Sequence, residues 1–412
     1  MVRRIKYLKC VNCGGEYDQG EAMYTCPECG IKGILDIVYD YEALASRINR
    51  AYFDSGEYSL WRYFDLLPIE NRKNVQPLPV GWTPMFRAER LGKQLGIKNL
   101  YLKDDGRNPT GSFKDRASAI AVAKALDFEQ NIIACASTGN AASSLAGFAA
   151  CAGLTSYIFI PANAPKAKII QLLVYGANVI LVEGTYDEAY YLCNEAAKKW
   201  NWYNRNCAIN PYLIEGKKTA GFEIIEQLDW RIPDWVAISV GNGCSIAGVY
   251  KAFFEFKKLN LINKLPKMLG VQAEGCKPLY DAYKTNSEIE PVIPKTLADS
   301  IAVGEPRNGK KALNAVKDSE GTMVYVNDDE ILAAMKSMAR TTGVFSEPAG
   351  AAPMAGLIKA IKEGIIVEED RVVIICTGNG LKDIESARKA VGKREITIKP
   401  GMNELQKALA LD

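Results

Sequence analysis

A single lysine stands directly after a turn-forming sequence in the segment NPTGSFKDR, residues 108–116. The residues that follow predict a helix, so Lys114 lies where the positive end of the helix dipole disfavours a second positive charge. A lysine whose pKa is lowered by such a setting is suited to imine formation with a carbonyl compound. The alternative, which this segment alone leaves open, is an ordinary exposed lysine on a helix.

Histidine is absent from all 412 residues. Its absence excludes Ser-His-Asp and Cys-His catalysis and any metal site with imidazole ligands. Proton transfer in a catalytic site of this chain must therefore use Lys, Asp, Glu, Tyr or Cys side chains.

Four of the 11 cysteines form two Cys-x-x-Cys pairs near the N-terminus, Cys10 with Cys13 and Cys26 with Cys29. This spacing suits a zinc ribbon, and we predict a structural ion because four thiolates leave no coordination position for a substrate. A degenerate ribbon without metal, or a redox pair, is the alternative. The other seven cysteines lie mostly in apolar segments, which is typical of buried thiols in a reducing compartment.

The composition is that of an ordinary globular chain, with 48% hydrophobic and 24% charged residues. A net charge of +3 gives no electrostatic reason to expect a nucleic-acid or membrane partner. No apolar run is long enough to span a bilayer, and no signal-peptide pattern begins the chain. We therefore expect a cytoplasmic location.

The elements that must position these residues follow an alternating pattern. Residues 41–75 are predicted to be helical and polar. From residue 99 onwards, apolar strand-like runs such as NIIACAS and RVVIICTG alternate with amphipathic helix-like segments. Continuous apolar strands separated by helices predict an α/β fold with a parallel sheet covered on both faces.

Small and polar residues follow three of the predicted strands, at the sheet edge where open α/β sheets bind ligands. STGN (137–140) follows NIIACA, GNGCS (241–245) follows VAISV, and TGNG (377–380) follows VVIIC. Backbone N–H groups and the helix dipole at such turns can hold a carboxylate or a phosphate. For each turn taken singly, ordinary turn chemistry is the alternative.

Taken together, these motifs resemble those of the threonine synthase family, which are fold-type II enzymes that use pyridoxal 5′-phosphate (PLP). NPTGSFKDR is similar to the family's lysine motif, and CASTGNAA, VGNG, FSEPAGAA and TGNGLKD follow in the family's order and spacing. The resemblance covers about residues 78–385. The ribbon followed by WRYFDLLPI is similar to the extended members of the family.

The resemblance implies roles around the cofactor. Lys114 would bind PLP as an imine and, once released, would act as the single general base. Phe113 would pack near the PLP ring, Asn140 would bond the 3-hydroxyl oxygen, and Thr377 would face the pyridine nitrogen. The cofactor phosphate would be held by Gly241, Asn242, Gly243, Cys244 and Ser245.

The resemblance also implies the reaction and the substrate contacts. A PLP-dependent carbon–oxygen lyase of this family converts O-phosphohomoserine and water to L-threonine and phosphate, by γ-elimination followed by addition of water at Cβ. Ser137 and Thr138 would hold the substrate carboxylate, and Thr83 would belong to the substrate loop GWTP.

The departures from the family pattern cluster where the substrate phosphate would bind. Cys207 and Ala208 stand in place of an Asn-Ser pair, and Leu213 and Ala302 in place of arginines. A buried phosphate without cations is unfavourable. The cations that could substitute are Lys217, Lys218, Arg307, Lys310 and Lys311.

These departures keep two other functions open. One is a β-eliminating ammonia-lyase of the threonine/serine dehydratase or diaminopropionate ammonia-lyase type, since Glu305 is similar to an acidic residue of the latter. The other is an inactive paralogue that only binds ligands, against which the intact Lys114 argues.

The resemblance predicts the fold and assembly as well. We expect two doubly wound α/β domains with the cofactor between them, after a zinc-ribbon-like segment at residues 1–40. The large PLP-binding domain is predicted from residues 41–118 and 205–412, and the small domain from 119–204. An amino-acid substrate and a homodimer are expected.

Overall fold

The structure is a computed structural model, and it describes residues 4–54, 56–162, 164, 166–207, 209–392 and 395–410, without the side chains of 166–168. Ala208, one of the predicted departures, lies outside the described residues. Among the described helices, none is both long and apolar enough to cross a bilayer.

The strands of the described chain form three sheets. In chain order they are β1 (Ile5–Cys10), β2 (Glu16–Tyr17), β3 (Leu35–Tyr39), β4 (Met85–Arg87), β5 (Asn99–Asp104), β6 (Ile132–Ala136), β7 (Thr155–Pro161), β8 (Asn178–Val182), β9 (Tyr203–Asn204), β10 (Trp235–Ser239), β11 (Lys267–Ala273), β12 (Thr322–Val326) and β13 (Arg371–Cys376).

Fourteen α-helices connect and cover these strands in the described ranges. They are α1 (Tyr41–Ala45), α2 (Glu89–Leu95), α3 (Lys114–Asp127), α4 (Asn140–Ala152), α5 (Lys166–Val174), α6 (Tyr186–Lys199), α7 (Tyr212–Gln227), α8 (Cys244–Lys258), α9 (Pro278–Thr285), α10 (Gly309–Asp318), α11 (Asp328–Thr342), α12 (Pro348–Lys362), α13 (Ile384–Val391) and α14 (Met402–Leu409).

The two larger sheets have the predicted parallel character. A six-stranded sheet has the order β12-β11-β10-β13-β5-β4, and only β4 runs antiparallel to its neighbour. A four-stranded sheet of order β8-β7-β6-β9 is parallel throughout. All five residues of β10 are buried, as expected of a strand covered on both faces. The predicted fold class is confirmed, whereas the domain boundaries at residues 118 and 204 stay a prediction.

Local sequence signals explain where several helices begin and end. Capping boxes start α6, with Thr185 and Glu188, and α11, with Asn327 and Glu330. Helix α4 ends at Gly153, whose φ of 70° places it in the left-handed region that favours glycine. These signals set the lengths of helices that pack on the sheets.

The prediction for residues 41–75 was wrong in two respects. Helix α1 is only five residues long and is followed by 3₁₀ turns at 50–53, 60–66 and 72–74. Apart from the half-buried Asp65, the segment 60–67 is buried, because its aromatic side chains pack into the main core; the Tyr63 ring, for example, lies 5.0 Å from the ring of Phe222 on α7.

The N-terminal three-stranded sheet, β2-β1-β3, is attached to the main body by buried polar contacts. The Asp36 carboxylate accepts hydrogen bonds from Lys251 of α8 and Lys311 of α10 at 3.1 and 3.0 Å. The Tyr39 hydroxyl donates to Glu215 of α7 at 2.9 Å. The ribbon-like segment is therefore joined to the same helices that flank the cavity described next.

Candidate active site

A cavity of about 570 Å³ lies at the carboxyl ends of β6, β10 and β13, between the two parallel sheets. The turns that follow these three strands all contribute to its lining. Of the residues with a predicted cofactor or substrate role, the cavity is lined by Lys114, Ser137, Thr138, Asn140, Gly241, Asn242, Gly243, Cys244, Ser245 and Thr377. Phe113 and Thr83 are buried but do not line the cavity.

Lys114 is held at this position by the turn after β13. The Phe113 N–H donates to the Thr377 carbonyl at 2.9 Å, and the Asn379 N–H donates to the Gly111 carbonyl at 2.9 Å. Ser112 forms an antiparallel bridge with Gly378. Two motifs far apart in the chain are thus bonded through their backbones, and α3 starts with Lys114 at the cavity wall.

Lys114 is half-buried as a residue, and the pKa of its amine is lowered to about 8. Burial is the largest cause because it removes water from the charged form, and the neighbouring charge of Lys217 acts in the same direction. Glu347 opposes the shift by favouring the ammonium. A larger share of neutral amine is therefore present at physiological pH than an ordinary lysine provides.

The two charges that follow Lys114 have structural partners. Asp115 accepts hydrogen bonds from the Thr110 N–H and hydroxyl, which closes the turn before the helix. The fully buried Arg116 donates to Asp105 at 2.6 Å and to Glu223 at 2.8 Å. These contacts fix the first turn of α3 against the large sheet.

Thr83 belongs to the same buried network rather than to the cavity. Its hydroxyl donates to Asp105 at 2.6 Å and accepts from the Arg116 guanidinium at 3.2 Å. A buried hydroxyl that already donates one hydrogen bond and accepts another has little capacity left to bind a ligand. The described structure thus gives Thr83 a supporting position below the Lys114 helix.

The turn after β10 forms a cup that only small residues can line. Gly243 has a φ of 89°, and a Cβ atom there would lie 2.6 Å from the Asn308 carbonyl oxygen. A Cβ at Gly241 would lie 3.0 Å from the Cα of Ile301. The cup opens at the N-terminus of α8, whose backbone N–H groups and dipole favour a bound phosphate.

Glu347 faces Lys114 and Asn140 and was not singled out as a site residue from the sequence. Its buried carboxylate accepts hydrogen bonds from the Asn140 amide and, at 3.3 Å, from the Ser300 hydroxyl. Burial raises the pKa of Glu347, while the Asn140 amide opposes the shift. A sequence signal for Glu347 was present in the motif FSEPAGAA, where this acidic residue directly precedes a helix that begins with proline.

Two further cations line the cavity floor. Arg205 is buried and donates to the Ser118 hydroxyl at 3.1 Å, and the Lys217 ammonium lies 3.0 Å from the Cys207 sulfur. In the described part of the chain, neither side chain forms an ion pair with a carboxylate. Positive charge therefore exceeds negative charge on this side of the cavity.

The other candidate cations differ in their surroundings. Lys218 pairs with Glu215 and Glu255, and Lys311 donates to Asp36, so both are committed to buried contacts away from the cavity. Lys310 is exposed. The sequence alone did not distinguish these lysines from Lys217.

Arg307 lines the cavity at its outer side. Its guanidinium lies 4.5 Å from the centre of the Tyr190 ring of α6 and 3.5 Å from the Glu305 carboxylate. The charge of Glu305, which is exposed, is thus partly balanced within its own loop. This pairing weakens the case for Glu305 as a free anion facing a cationic substrate.

Two of the departures that the sequence predicted are also located. Leu213 is fully buried on α7, one helical turn before Lys217, and Ala302 lines the cavity. Residues four positions apart lie on one helix face. Lys217 is therefore the nearest cation on α7 to the position where the family pattern has an arginine.

The four N-terminal cysteines form one cluster. Their sulfurs all lie within 4.8 Å of one another, with 3.9 Å between Cys10 and Cys29 and 3.7 Å between Cys13 and Cys26. A tetrahedral zinc ion with Zn–S bonds of about 2.3 Å separates its sulfurs by about 3.8 Å. The geometry therefore fits a four-thiolate zinc site.

Comparisons with known proteins cover most of the chain. Residues 77–378 match the family described as "Pyridoxal-phosphate dependent enzyme". The chain is 41% identical over 404 residues to the threonine synthase of Methanocaldococcus jannaschii, covering 97% of this chain and 98% of the relative. It is 43% identical to that of Methanosarcina acetivorans, with 92% of each chain covered.

Solved structures show the same fold. A threonine deaminase isoform from Solanum lycopersicum has a TM-score of 0.67 at 25% identity, covering 81% of this chain and 92% of that one. A diaminopropionate ammonia lyase from Escherichia coli has a TM-score of 0.66 at 17% identity, covering 84% and 96%. At that identity, the latter supports the fold alone.

Proposed function

The chain belongs to the threonine synthases within the pyridoxal-phosphate-dependent enzyme family, and on that premise we propose that it converts O-phosphohomoserine and water to L-threonine and phosphate. The observation that supports this activity most directly is the surplus of cations around Lys114. A cavity that combines a low-pKa amine with a glycine-lined cup and two cations without carboxylate partners suits a phosphorylated substrate as well as a phosphorylated cofactor.

The cavity residues fit PLP. The cup at residues 241–245 would hold its phosphate at the N-terminus of α8, and its tight turn requires glycine because a Cβ at Gly241 or Gly243 would meet the backbone of Ile301 or Asn308. Asn140 would donate to the ring's 3-oxygen, and the Thr377 hydroxyl would face the ring nitrogen. When bound, PLP supplies an aldehyde for imine formation and an electron sink for charge that develops on the substrate. A hydroxyl opposite the nitrogen, in place of a carboxylate, moderates that electron sink.

Lys114 is the proposed catalytic base. At a pKa of about 8, roughly a tenth of the amine is neutral at pH 7, against less than about a thousandth for an ordinary lysine. The freed amine takes the proton from the substrate Cα and shuttles a second proton at Cβ, while phosphate leaves from Cγ and water adds at Cβ. A single base of this kind is consistent with a chain that contains no histidine.

The two ends of the substrate have separate binding groups in this proposal. Ser137 and Thr138, which precede α4, would hold the carboxylate at the helix N-terminus. Lys217 and Arg205 would hold the phosphate in place of the missing arginines. Their charges replace those lost at Leu213 and Ala302.

Three further properties belong to the same proposal: a structural zinc ion, a cytoplasmic location and a homodimer. The cysteine cluster would hold one structural zinc ion. All 11 cysteines are free thiols, which supports a reducing, cytoplasmic compartment. A homodimer is supported by apolar side chains that are exposed on neighbouring elements, namely Leu173 and Val174 of α5 and Leu381 after β13. These elements are neighbours because the Lys382 ammonium donates a hydrogen bond to the Gln171 side chain of α5 at 3.0 Å.

Product analysis tests the proposal. The purified protein, saturated with PLP, is incubated separately with O-phosphohomoserine, threonine, serine and diaminopropionate. Release of phosphate together with L-threonine from the first substrate is the expected result. Ammonia with 2-oxobutyrate or pyruvate from the others would instead identify an ammonia-lyase, and no product from any of them would identify a binding paralogue.

A further inference from the structure

A second reactive group lies in the cavity and has no role in the proposed reaction. Cys207 follows β9 and is half-buried, with its sulfur 3.0 Å from the Lys217 ammonium. Cys244, the first residue of α8, donates from its thiol to the Cys207 carbonyl oxygen at 3.5 Å. Both cysteines line the cavity. Two thiols and an ammonium thus meet at the edge of the phosphate cup.

The surroundings of Cys207 favour its thiolate. The neighbouring Cys244 thiol is the largest effect lowering the pKa of Cys207, and the charges of Lys217 and Arg205 add to it against the opposing effect of burial. The pKa of Cys244 is raised in turn, chiefly by the neighbouring Cys207 side chain and by burial. Together with the 3.0 Å contact to the Lys217 ammonium, these effects favour a thiolate at Cys207 and a thiol at Cys244, as in a nucleophile and its resolving partner.

Other cysteines of the main body provide the contrast. Burial raises the pKa of Cys135 to about 11, and it also raises the pKa of Cys193 and Cys376. These three thiols are buried within the sheets or against helices and have no ammonium hydrogen-bonded to the sulfur among the described contacts. Their apolar settings are typical of unreactive structural cysteines.

We propose that Cys207 is a covalent modification site, at which hydroperoxides and other soft electrophiles that enter the cavity react with a thiolate paired to Lys217, and that Cys244 resolves the oxidised form to a disulfide. The reaction needs no turnover, although the site shares Lys217 and the cup at residues 241–245 with the proposed active site. It goes beyond the proposed function because it requires neither PLP nor an amino-acid substrate.

The chemistry takes place in two balanced steps. The Cys207 thiolate attacks one oxygen of a hydroperoxide, ROOH; an S–O bond forms, the O–O bond breaks, and the released RO⁻ takes a proton to leave as the alcohol. The sulfur loses two electrons, which reduce the peroxide. The Cys244 sulfur then attacks the sulfenic acid, and its proton leaves with the hydroxyl group as water.

The consequence follows from where the two cysteines lie. A disulfide would tie the segment after β9 to the first residue of α8 and would remove the negative partner of Lys217. Both changes alter the cup at residues 241–245. Reduction by a dithiol restores the thiol pair, so that modification would be reversible.

The first experiment measures alkylation of the native full-length protein by iodoacetamide between pH 6.5 and 8, with peptide mapping and added glutathione as an internal standard. The glutathione rate is expected to rise about tenfold per pH unit, whereas the rate at Cys207 is expected to change less than about threefold. A Cys207 rate that rises in parallel with glutathione, or no labelling of Cys207 before Cys135 and Cys376, would overturn the proposal.

Variants test the two partners separately. In Lys217→Gln, alkylation of Cys207 at pH 6.5 is expected to slow about tenfold or more, since the ammonium no longer favours the thiolate; an unchanged rate contradicts the proposal. If this variant does not fold, as judged by circular dichroism, the pH profile of the wild-type protein still decides the matter.

Peroxide treatment tests the resolving role. Wild-type protein exposed to hydrogen peroxide is expected to yield a Cys207–Cys244 disulfide peptide that dithiothreitol removes. Cys244→Ser is expected to accumulate a sulfenic acid on Cys207 that dimedone traps, and Cys207→Ser neither product. A different disulfide in the wild-type protein, or dimedone on another cysteine, contradicts the assignment. None of these assays involves catalysis, so failure of the Cys207 proposal can be distinguished from failure of the threonine synthase proposal.

Discussion

The Asn140 side-chain amide donates to both carboxylate oxygens of Glu347, at 2.8 and 3.0 Å. Asn140 begins α4 on the four-stranded sheet, whereas Glu347 precedes α12 on the six-stranded sheet. The contact therefore crosses the cavity and, together with a 3.3 Å hydrogen bond from the same amide to the Ser300 hydroxyl, it fixes the orientation of the Asn140 side chain.

We expect Glu347→Ala to weaken PLP binding roughly tenfold to a hundredfold, because loss of a hydrogen bond to a charged group is worth about 1.5–3 kcal/mol. The alanine removes the carboxylate acceptor of the buried Asn140 amide and leaves it only the longer bond to the Ser300 hydroxyl. Glu347→Gln keeps one acceptor oxygen, so a smaller loss is expected. Titration of the apoprotein with PLP, followed by visible absorbance, measures the change. Glu363→Ala, at the exposed end of α12, is the matched control, and equal affinity of both alanine variants would contradict the role of Glu347.

The lowered pKa of Lys114 predicts a pH profile for PLP binding by the apoprotein. Only the neutral amine attacks the aldehyde, so the rate of imine formation should rise with pH and level off above about pH 8. An ordinary lysine would instead give a rate that rises to about pH 10. Stopped-flow absorbance measures the rate, and Lys114→Ala should form no visible band. A rise that continues through pH 10 would show that burial does not lower this pKa.

Lys217→Gln should raise the KM for O-phosphohomoserine by at least about thirtyfold, since removing one partner of a buried charge pair costs about 2–5 kcal/mol. The effect on kcat should be smaller, because Lys217 contacts the leaving phosphate rather than the atoms that Lys114 deprotonates. Inhibition by inorganic phosphate should weaken in parallel. Lys310→Gln, which changes an exposed lysine, serves as the control. An unchanged KM would mean that other groups bind the substrate phosphate.

Removal of the ribbon metal should destabilise the whole chain, because the ribbon is joined to α7, α8 and α10 through Tyr39 and Asp36. We expect Cys13→Ser to contain less than one equivalent of zinc and to lower the thermal midpoint by roughly 5 °C. Elemental analysis and thermal unfolding measure the two effects. Cys151→Ser, at an exposed cysteine of α4, should change neither value. Equal zinc content in both variants would argue against a four-thiolate site.

Some features followed directly from local sequence. The β-α alternation predicted the parallel sheets because apolar strands covered on both faces have no other stable arrangement. The turns after β6, β10 and β13 surround one cavity because the carboxyl ends of parallel strands share one edge. The cysteine spacing likewise predicted a cluster that a two-turn ribbon brings together.

Other features depended on packing between distant segments. Glu347 is 207 residues from Asn140, and nothing local in either segment predicts their contact. Thr83 lies in the predicted substrate loop GWTP, yet its hydroxyl forms hydrogen bonds with Asp105 and Arg116 instead. Residues 60–66 belong to a segment that was predicted to be helical and polar, but their aromatic side chains fill the core beside α7.

The sequence by itself determined which chemistry is available: a lysine at a helix start, small residues after strands, four paired cysteines and no histidine. Only the tertiary structure decided which charges face the cavity. Lys217 and Lys218 are adjacent in the chain, but a helix turns by about 100° per residue. One ammonium therefore lies beside Cys207 in the cavity, and the other is buried between Glu215 and Glu255.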